Sequence, residues 1–495
     1  MSRPRNVLWL NTDQQMTANR PGAAHELPLQ RKLAARGMNF RRAYTALPIC
    51  SPARASMLTG RYPHNHGLTE NDGRFGGRTG LGESNTLVTD PLLAEGYRCA
   101  WFGKWHLHRK LDARAFGFEG YAPADYAYPY ASAEYRAYLE RNALPDPIAR
   151  IELSGESGTP PGTPVALTRS EDWFDFEAGS AILEGPAETH EAFFVAELAE
   201  RWLRDAGDGP FFMRVDTWGP HPPYLVGAPF AGMFAELDSA ASPNLVSDLK
   251  ARPAHHAAYR DYWQETLGDK ARDFALLSRR ALQLAALCEA ALVRLLDVLD
   301  EGGRTDDTIV VFTADHGDAV ASNGGAMNKG GLMVEETLRI PMLIAGPGIA
   351  PGLNDSLVCN IDLAPTLLDL CGITAHEMDG TSLCPLLWRT GPLPRDGLMT
   401  EHYGLKIPLW QRAFHKGHWK LVVQEDGFTE LYDLACDAAE MNNLANNVTH
   451  AGTLRDMRDG LAKALASYGD NSAPAMAFRD AVLAGPVPSP RQHPE

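Results

Sequence analysis

The sequence predicts an α/β protein with a large central mixed sheet flanked by helices, followed by a smaller C-terminal domain with an antiparallel sheet. Three observations carry this. Short apolar runs of strand length end abruptly in polar or charged residues, as at Val7–Leu10 before Asn11-Thr12-Asp13-Gln14 and at Thr308–Ala314 before Asp315-His316. Between such runs lie stretches of helical periodicity, such as 188–204. A proline-rich break from Leu383 to Asp396 then separates these from paired strand-like segments. At 495 residues the chain exceeds one hydrophobic core. We therefore place the domains at 1–385 and 386–495.

The first strand puts the Asp13 carboxylate at its carboxyl end, the edge where open α/β sheets bind ligands. A helix is expected from Leu27 to Gly37, with Gly37 as its C-terminal cap. The stretch Pro48-Ile49-Cys50-Ser51-Pro52-Ala53-Arg54 follows. Its prolines favour extended backbone before them, so Cys50 should sit on a loop entering a helix whose free amides suit an anion. Arg54 lies about one turn on and can fold back towards Cys50. His64-Asn65-His66-Gly67 and Thr69-Glu70-Asn71-Asp72 read as a polar loop, and Thr86 to Gly96 as a capped helix.

Tyr97–Phe102 reads as a strand that empties into Gly103-Lys104-Trp105-His106. On an extended segment Lys104 and His106 share a side, and an ammonium beside an imidazole suits a site that holds an anion and moves a proton. Residues 112–185 read as an irregular insertion at the site mouth, with one helix at Ala133–Arg141. A helix over Glu188–Arg204 and a strand over Pro210–Val215 lead to Gly219-Pro220-His221-Pro222-Pro223. There the prolines would hold His221 on a rigid turn. A long helix is expected over Asp269–Leu299. After Thr308–Ala314, the adjacent Asp315 and His316 suit a divalent metal. Met342–Ala345 reads as a strand and Asp362–Leu368 as a helix with a structural role. Strands at His418–Val423 and Glu430–Leu434, a helix at Thr453–Tyr468 and a proline-rich tail complete the chain.

Bulk properties narrow the function. A net charge of −16 argues against nucleic-acid binding and leaves any anionic substrate dependent on a local cationic pocket. The seven cysteines are odd in number and scattered, which fits reduced thiols. No apolar run is long enough to span a bilayer and no signal-peptide core stands at the N-terminus, so a cytoplasmic protein without a membrane partner is expected. The tail could pack on a neighbouring subunit, giving a dimer or tetramer.

The run Cys50-x-Pro52-x-Arg54 continued by Thr59-Gly60-Arg61, together with Gly103-Lys104-Trp105-His106, resembles the formylglycine-dependent sulfatases of the alkaline phosphatase superfamily. Gln14 and Asp315-His316 are similar to the choline-sulfatase and phosphonate-monoester-hydrolase branches. The resemblance spans Asp13 to Asn443 and implies an alkaline-phosphatase-like sandwich. It implies that a maturation enzyme oxidises Cys50 to formylglycine, whose hydrate is the nucleophile. Asp13, Gln14, Asp315 and His316 are then ligands of one divalent ion, Ca²⁺ before Mn²⁺. Arg54 would activate the hydrate, Lys104 and Lys329 would offset charge on the sulfate, and His221 or Lys329 would protonate the leaving alcohol. His106 would take the second hydrate proton, and Asn71 would contact substrate. The implied activity is hydrolysis of a small sulfate monoester, of arylsulfatase type. The alternatives are phosphonate monoester or phosphodiester hydrolysis on the same scaffold, and a non-catalytic binding protein if Cys50 stays a thiol.

Overall fold

The computed structural model describes residues 6–18, 27–154, 158–169, 179–237, 242–267, 273–375, 377–405, 408–470, 476 and 478–480. An eight-stranded mixed sheet forms the centre. Across it the strands run Gly352–Asn354, Gly37–Phe40, Met342–Ala345, Thr308–Ala314, Asn6–Thr12, Phe211–Asp216, Arg98–Gly103 and Glu119–Tyr121. The strand Asn6–Thr12 pairs in parallel with Thr308–Ala314 on one side and Phe211–Asp216 on the other. Arg98–Gly103 extends the parallel set, whereas Met342–Ala345 joins antiparallel.

Strand periodicity explains the layering. Val7, Trp9, Cys99, Trp101, Ile309 and Val311 enter one core, and their neighbours Leu8, Leu10, Ala100, Phe102, Val310 and Phe312 enter the other. The first core is closed by helices Cys50–Thr59 and Leu363–Cys371, through Met57, Leu58, Leu363 and Leu367. The second is closed by Glu191–Arg204 and Phe274–Glu301, through Phe194, Leu203, Leu292, Leu295 and Leu299. Because both sheet faces are covered, the central strands read as continuous apolar runs.

A four-stranded antiparallel sheet, Leu398–Gly404, Pro408–Lys416, Trp419–Gln424 and Thr429–Asp433, follows the proline-rich segment, and helix Ala451–Ser467 packs on it. Its core also takes in Tyr44, Tyr62, Met333 and Leu338 from earlier in the chain.

Several expectations need correction. The helix expected to run to Gly37 covers only Pro28–Ala34, and Gly37 opens a strand instead. Glycine is needed there because a Cβ would lie 2.5 Å from the Ile344 carbonyl oxygen. The helix expected from Thr86 begins at Thr89. The described residues of segment 112–185 are not irregular throughout. The segment supplies Glu119–Tyr121 to the main sheet, and its strands Ile148–Leu153, Pro164–Ala166 and Ser180–Glu184 make a second sheet with Tyr224–Gly227. The long helix is described from Phe274; its expected start at 269 and the proline-rich tail at 481–495 lie outside the described residues. Helix Ala254–Leu267 was not anticipated. Among the described residues no helix is long and apolar enough to cross a membrane.

Candidate active site

Four neighbouring strands deliver charge to one edge of the sheet. Asp315 follows Thr308–Ala314, Asp13 follows Asn6–Thr12, Asp216 ends Phe211–Asp216, and Lys104 follows Arg98–Gly103. All four side chains are buried. Cys50 comes to the same point as the first residue of helix Cys50–Thr59, rather than on the loop before it. Ile49 is extended and offers no side-chain cap, and the Ser51 N–H donates instead to Asn71 Oδ1 at 3.0 Å. Asn71 therefore completes the helix start beside the cysteine.

One turn along, Arg54 does not turn to the Cys50 side chain. Its Nε donates to Asp315 Oδ2 at 3.0 Å, its Nη2 to Asp13 Oδ2 at 3.2 Å, and its Nη1 to Asp216 Oδ1 at 2.7 Å and to the Lys104 carbonyl at 2.9 Å. The guanidinium thus ties three carboxylates to the helix that carries Cys50. Burial alone would raise Asp13, but Lys104 and Arg54 outweigh it and hold the carboxyl well below the usual range.

Asp13, Asp315, His316 and Cys50 offer ligand atoms within 4.8 Å of one another. His316 Nδ1 donates to the Gly317 carbonyl at 2.9 Å, which leaves Nε2 facing the carboxylates. That Nε2 stands 3.8 Å from Asp315 Oδ1, 4.0 Å from Asp13 Oδ1 and 3.2 Å from Cys50 Sγ. Ligand atoms about 2.0–2.6 Å from one ion have such mutual spacings. Burial lowers the His316 pKa, yet Asp315 and Cys50 pull it above the ordinary value, so this point favours positive charge. The residues fit a divalent cation.

Outward from this cluster lies a pocket of about 530 Å³, lined by Cys50, His106, Tyr126, His221, Asn328 and Lys329 among others. Lys104 Nζ contacts Asp13 Oδ2 and stands 3.7 Å from the centre of the Tyr126 ring. Lys329 Nζ donates to Gln14 Oε1 at 2.7 Å and to His221 Nε2 at 2.9 Å. His221 Nδ1 donates to the Pro222 carbonyl at 2.6 Å, so Nε2 carries the lone pair that meets Lys329. Burial first, then Lys329, push His221 well below the usual imidazole range, and it is neutral. Burial, Lys104 and Arg54 do the same to His106, whose Nδ1 has no hydrogen-bond partner among the described residues. Lys104 and His106 reach the site by a different route from the one expected. The backbone is not an extended strand there, and a left-handed φ of 52° at His106 turns its ring into the pocket wall.

The structure therefore gathers Asp13, Gln14, Cys50, Arg54, Asn71, Lys104, His106, His221, Asp315, His316 and Lys329 around one centre. Sequence reasoning missed Asp216, although it ends a buried strand as Asp13 and Asp315 do, and that signal could have found it. It also missed Tyr126, together with Tyr259 and Tyr262 from the unanticipated helix. A second cluster, His64, Glu401 and Asp470, offers nothing to a metal. His64 spends Nδ1 on Glu401 at 2.5 Å and Nε2 on the Tyr468 carbonyl at 3.0 Å, and Asp470 is taken by Arg412 at 2.7 Å.

Comparison with known proteins identifies the family of the chain. A sequence model of the sulfatase family matches residues 5–373, and one described as N-sulphoglucosamine sulphohydrolase, C-terminal, matches 326–467. A choline-sulfatase of Rhizobium meliloti is 27% identical over 469 residues, covering 89% of this chain and 82% of its own. The multifunctional alkaline phosphatase superfamily protein PehA of Trinickia caryophylli is 27% identical over 476 residues, covering 86% of each. Among solved structures, BT4656 in complex with D-glucosamine-2-N,6-O-disulfate superposes with a TM-score of 0.72 at 20% identity, covering 96% of this chain and 99% of its own. The phosphonate monoester hydrolase of Agrobacterium radiobacter gives 0.71 at 23%, covering 94% and 96%. The chain shares the fold of these solved structures and belongs to the sulfatase family.

Proposed function

We propose that this protein hydrolyses a small sulfate monoester, using formylglycine made from Cys50 by a maturation enzyme and one divalent ion held by Asp13, Gln14, Asp315 and His316. The observation that carries the reading is Cys50 at a helix N-terminus, 3.2 Å from His316 Nε2, between that ligand set and the pocket wall that carries Lys329 and His221, with Lys104 Nζ on Asp13 behind it. When present, the formylglycine hydrate supplies a nucleophilic oxygen, and the cation supplies Lewis acidity. The chain's own residues do the rest. Arg54 fixes the three carboxylates. Lys104 and Lys329 hold the anionic oxygens of the ester and offset charge there. The proton shared between Lys329 Nζ and His221 Nε2 is the one at hand for a leaving alkoxide, and neutral His106 is free to accept one.

The pocket's outer wall indicates the alcohol side. It carries Phe75, Tyr126, Tyr259 and Tyr262 with Glu70 and Asp72, and Arg74, the one arginine that lines it among the described residues, pairs with Asp72 at 3.2 Å. A neutral or cationic leaving group suits this lining better than a second anionic one, consistent with a choline-sulfatase among the relatives. An aryl sulfate fits the same rings.

A second reading, hydrolysis of phosphonate monoesters or phosphodiesters, is favoured by Gln14 and Asp315-His316 and by the likeness to the phosphonate monoester hydrolase of Agrobacterium radiobacter. One experiment tests both. The mass of the peptide carrying Cys50 is measured in active protein, and turnover of an aryl sulfate, choline sulfate and an aryl phosphonate monoester is compared. Full activity with an unmodified thiol would remove the nucleophile from the proposal. Phosphonate turnover well above that of both sulfates would promote the second reading.

A further inference from the structure

A buried carboxyl that the chemistry above does not use stands behind the site. Glu191 opens helix Glu191–Arg204 and is 1% exposed. Its Oε1 accepts from the Trp218 N–H at 3.2 Å and the Gly219 N–H at 3.0 Å, while Oε2 has no donor among the described residues. Among the described residues no lysine or arginine pairs with it, His190 at 3.9 Å is kept neutral by burial, and burial pushes Glu191 up to about 8. A carboxyl so placed costs more than an apolar side chain of the same size would. The helix does not need it as a cap, because His190 fills that role.

The two amides that it holds belong to the segment on which three functional groups converge. His221 is two residues beyond Gly219. The Gly219 carbonyl accepts from the Asp13 N–H at 3.1 Å and from Thr217 Oγ1 at 2.7 Å. Trp218 Nε1 donates to the Tyr126 carbonyl at 2.6 Å, and the Tyr126 ring carries Lys104 Nζ. The segment has no regular secondary structure to fix it, and a Cβ on Gly219 would lie 2.6 Å from Cys288 Sγ, so its path is tightly set.

We infer that Glu191 is a positioning residue for the Lys329–His221 proton pair, acting through the Trp218 and Gly219 amides; this rests on the proposed ester hydrolysis. Its loss moves His221 off Lys329 and weakens protonation of the leaving oxygen, while the anion-holding lysines keep substrate affinity.

The test uses full-length protein and a series of aryl sulfates whose phenols differ in acidity, or aryl phosphonate monoesters if those turn over faster. In E191A, kcat should fall by about 100-fold for the least acidic phenol and by less than about 5-fold for the most acidic, with KM within about 3-fold. E191Q keeps a carbonyl acceptor for both amides and should restore most of the loss. E191D withdraws the acceptor with a smaller cavity and should repeat the pattern even if E191A does not fold. A loss equal for all phenols, a loss confined to KM, or no rescue by E191Q would overturn the inference. H221A separates the two ideas. If it too ignores phenol acidity, the acid assignment in the proposed function fails; if it responds while the Glu191 variants do not, only Glu191 is misassigned.

Discussion

Arg54 Nη1 lies 2.7 Å from Asp216 Oδ1 with both side chains fully buried, and Asp216 lies outside the residues that line the pocket. Asp216 also accepts from Arg214 at 2.8 and 3.0 Å and from Asn11 at 2.9 Å. It therefore anchors two buried guanidiniums, one of which fixes Asp13 and Asp315. Removing its charge in D216N takes the carboxylate from Arg214 and one of three from Arg54. We expect a stability loss of about 3–5 kcal/mol in denaturant unfolding, with a fall in activity as the two carboxylates lose their tether. A midpoint unchanged from the parent protein would show that the anchor is not needed.

The ligand set makes a second prediction. Asp13 and Asp315 face the His316 Nε2 across 4.0 and 3.8 Å. Exhaustive chelation should lower both activity and thermal midpoint, and Ca²⁺ or Mn²⁺ should restore them. A cation at 100 times its Kd would add about 2.7 kcal/mol of stability. H316A should abolish the response of the midpoint to cation. If the midpoint of the parent protein ignores both chelator and cation, this cluster is not a cation site.

Much of this architecture was legible because its signals are local. Val7–Leu10, Thr308–Ala314 and Met342–Ala345 are apolar runs of strand length, and Asp13 and Asp315, which follow the first two strands, fall at the sheet edge where ligands bind. Helix Ala133–Arg141 matches to the residue, since Ser132 caps it by accepting from the Tyr135 N–H. What stayed hidden is non-local. Gly37 reads as a cap until the Ile344 carbonyl comes beside it, from 307 residues on. Strands Leu398–Gly404 and Pro408–Lys416 contain Glu401, His402, Gln411 and Arg412, all buried and paired within the fold, so their polarity masked the strand pattern. Helix Ala254–Leu267, weakly amphipathic and rich in His and Tyr, gave no clear period although two of its tyrosines line the pocket.

That helix and the C-terminal sheet also locate Lys329. The carbonyl of Gly330 accepts from His402 Nε2 at 2.9 Å, and that of Gly331 from Gln411 Nε2 at 2.7 Å and His255 Nε2 at 3.0 Å. Gly330 has φ +47°, and a Cβ there would lie 2.3 Å from the Tyr259 ring, whereas one on Gly331 would meet nothing nearer than 3.5 Å. G330A should therefore displace Lys329 and lower kcat by up to about 100-fold in folded protein. G331A should stay within about 3-fold of the parent. Equal effects of the two would deny that Tyr259 and the backbone at Gly330 set the lysine.

The last prediction concerns pH and lies away from the reacting centre. Burial alone would lower His64, but Glu401 and the Tyr468 carbonyl at its two ring nitrogens, with Asp470 nearby, raise it to about 9. Glu401 is raised by burial and more strongly lowered by His64 and Arg412, to about 2. A folded pKa of about 9, above the unfolded value near 6.5, gives stability that is fully present below about pH 6.5 and lost as pH rises through 9. The Glu401 contribution is present above about pH 4.5 and lost as pH falls towards 2. Between about pH 6 and pH 9.5 the parent should lose stability relative to H64Q, by a ceiling of about 3 kcal/mol. The pair joins Pro63–His66, a single helical turn where a polar loop was expected, to the strand Leu398–Gly404, so the loss should register in unfolding of the whole chain. Denaturant unfolding of both proteins at the two pH values measures it, and parallel stability curves would mean that His64 is not held as a cation.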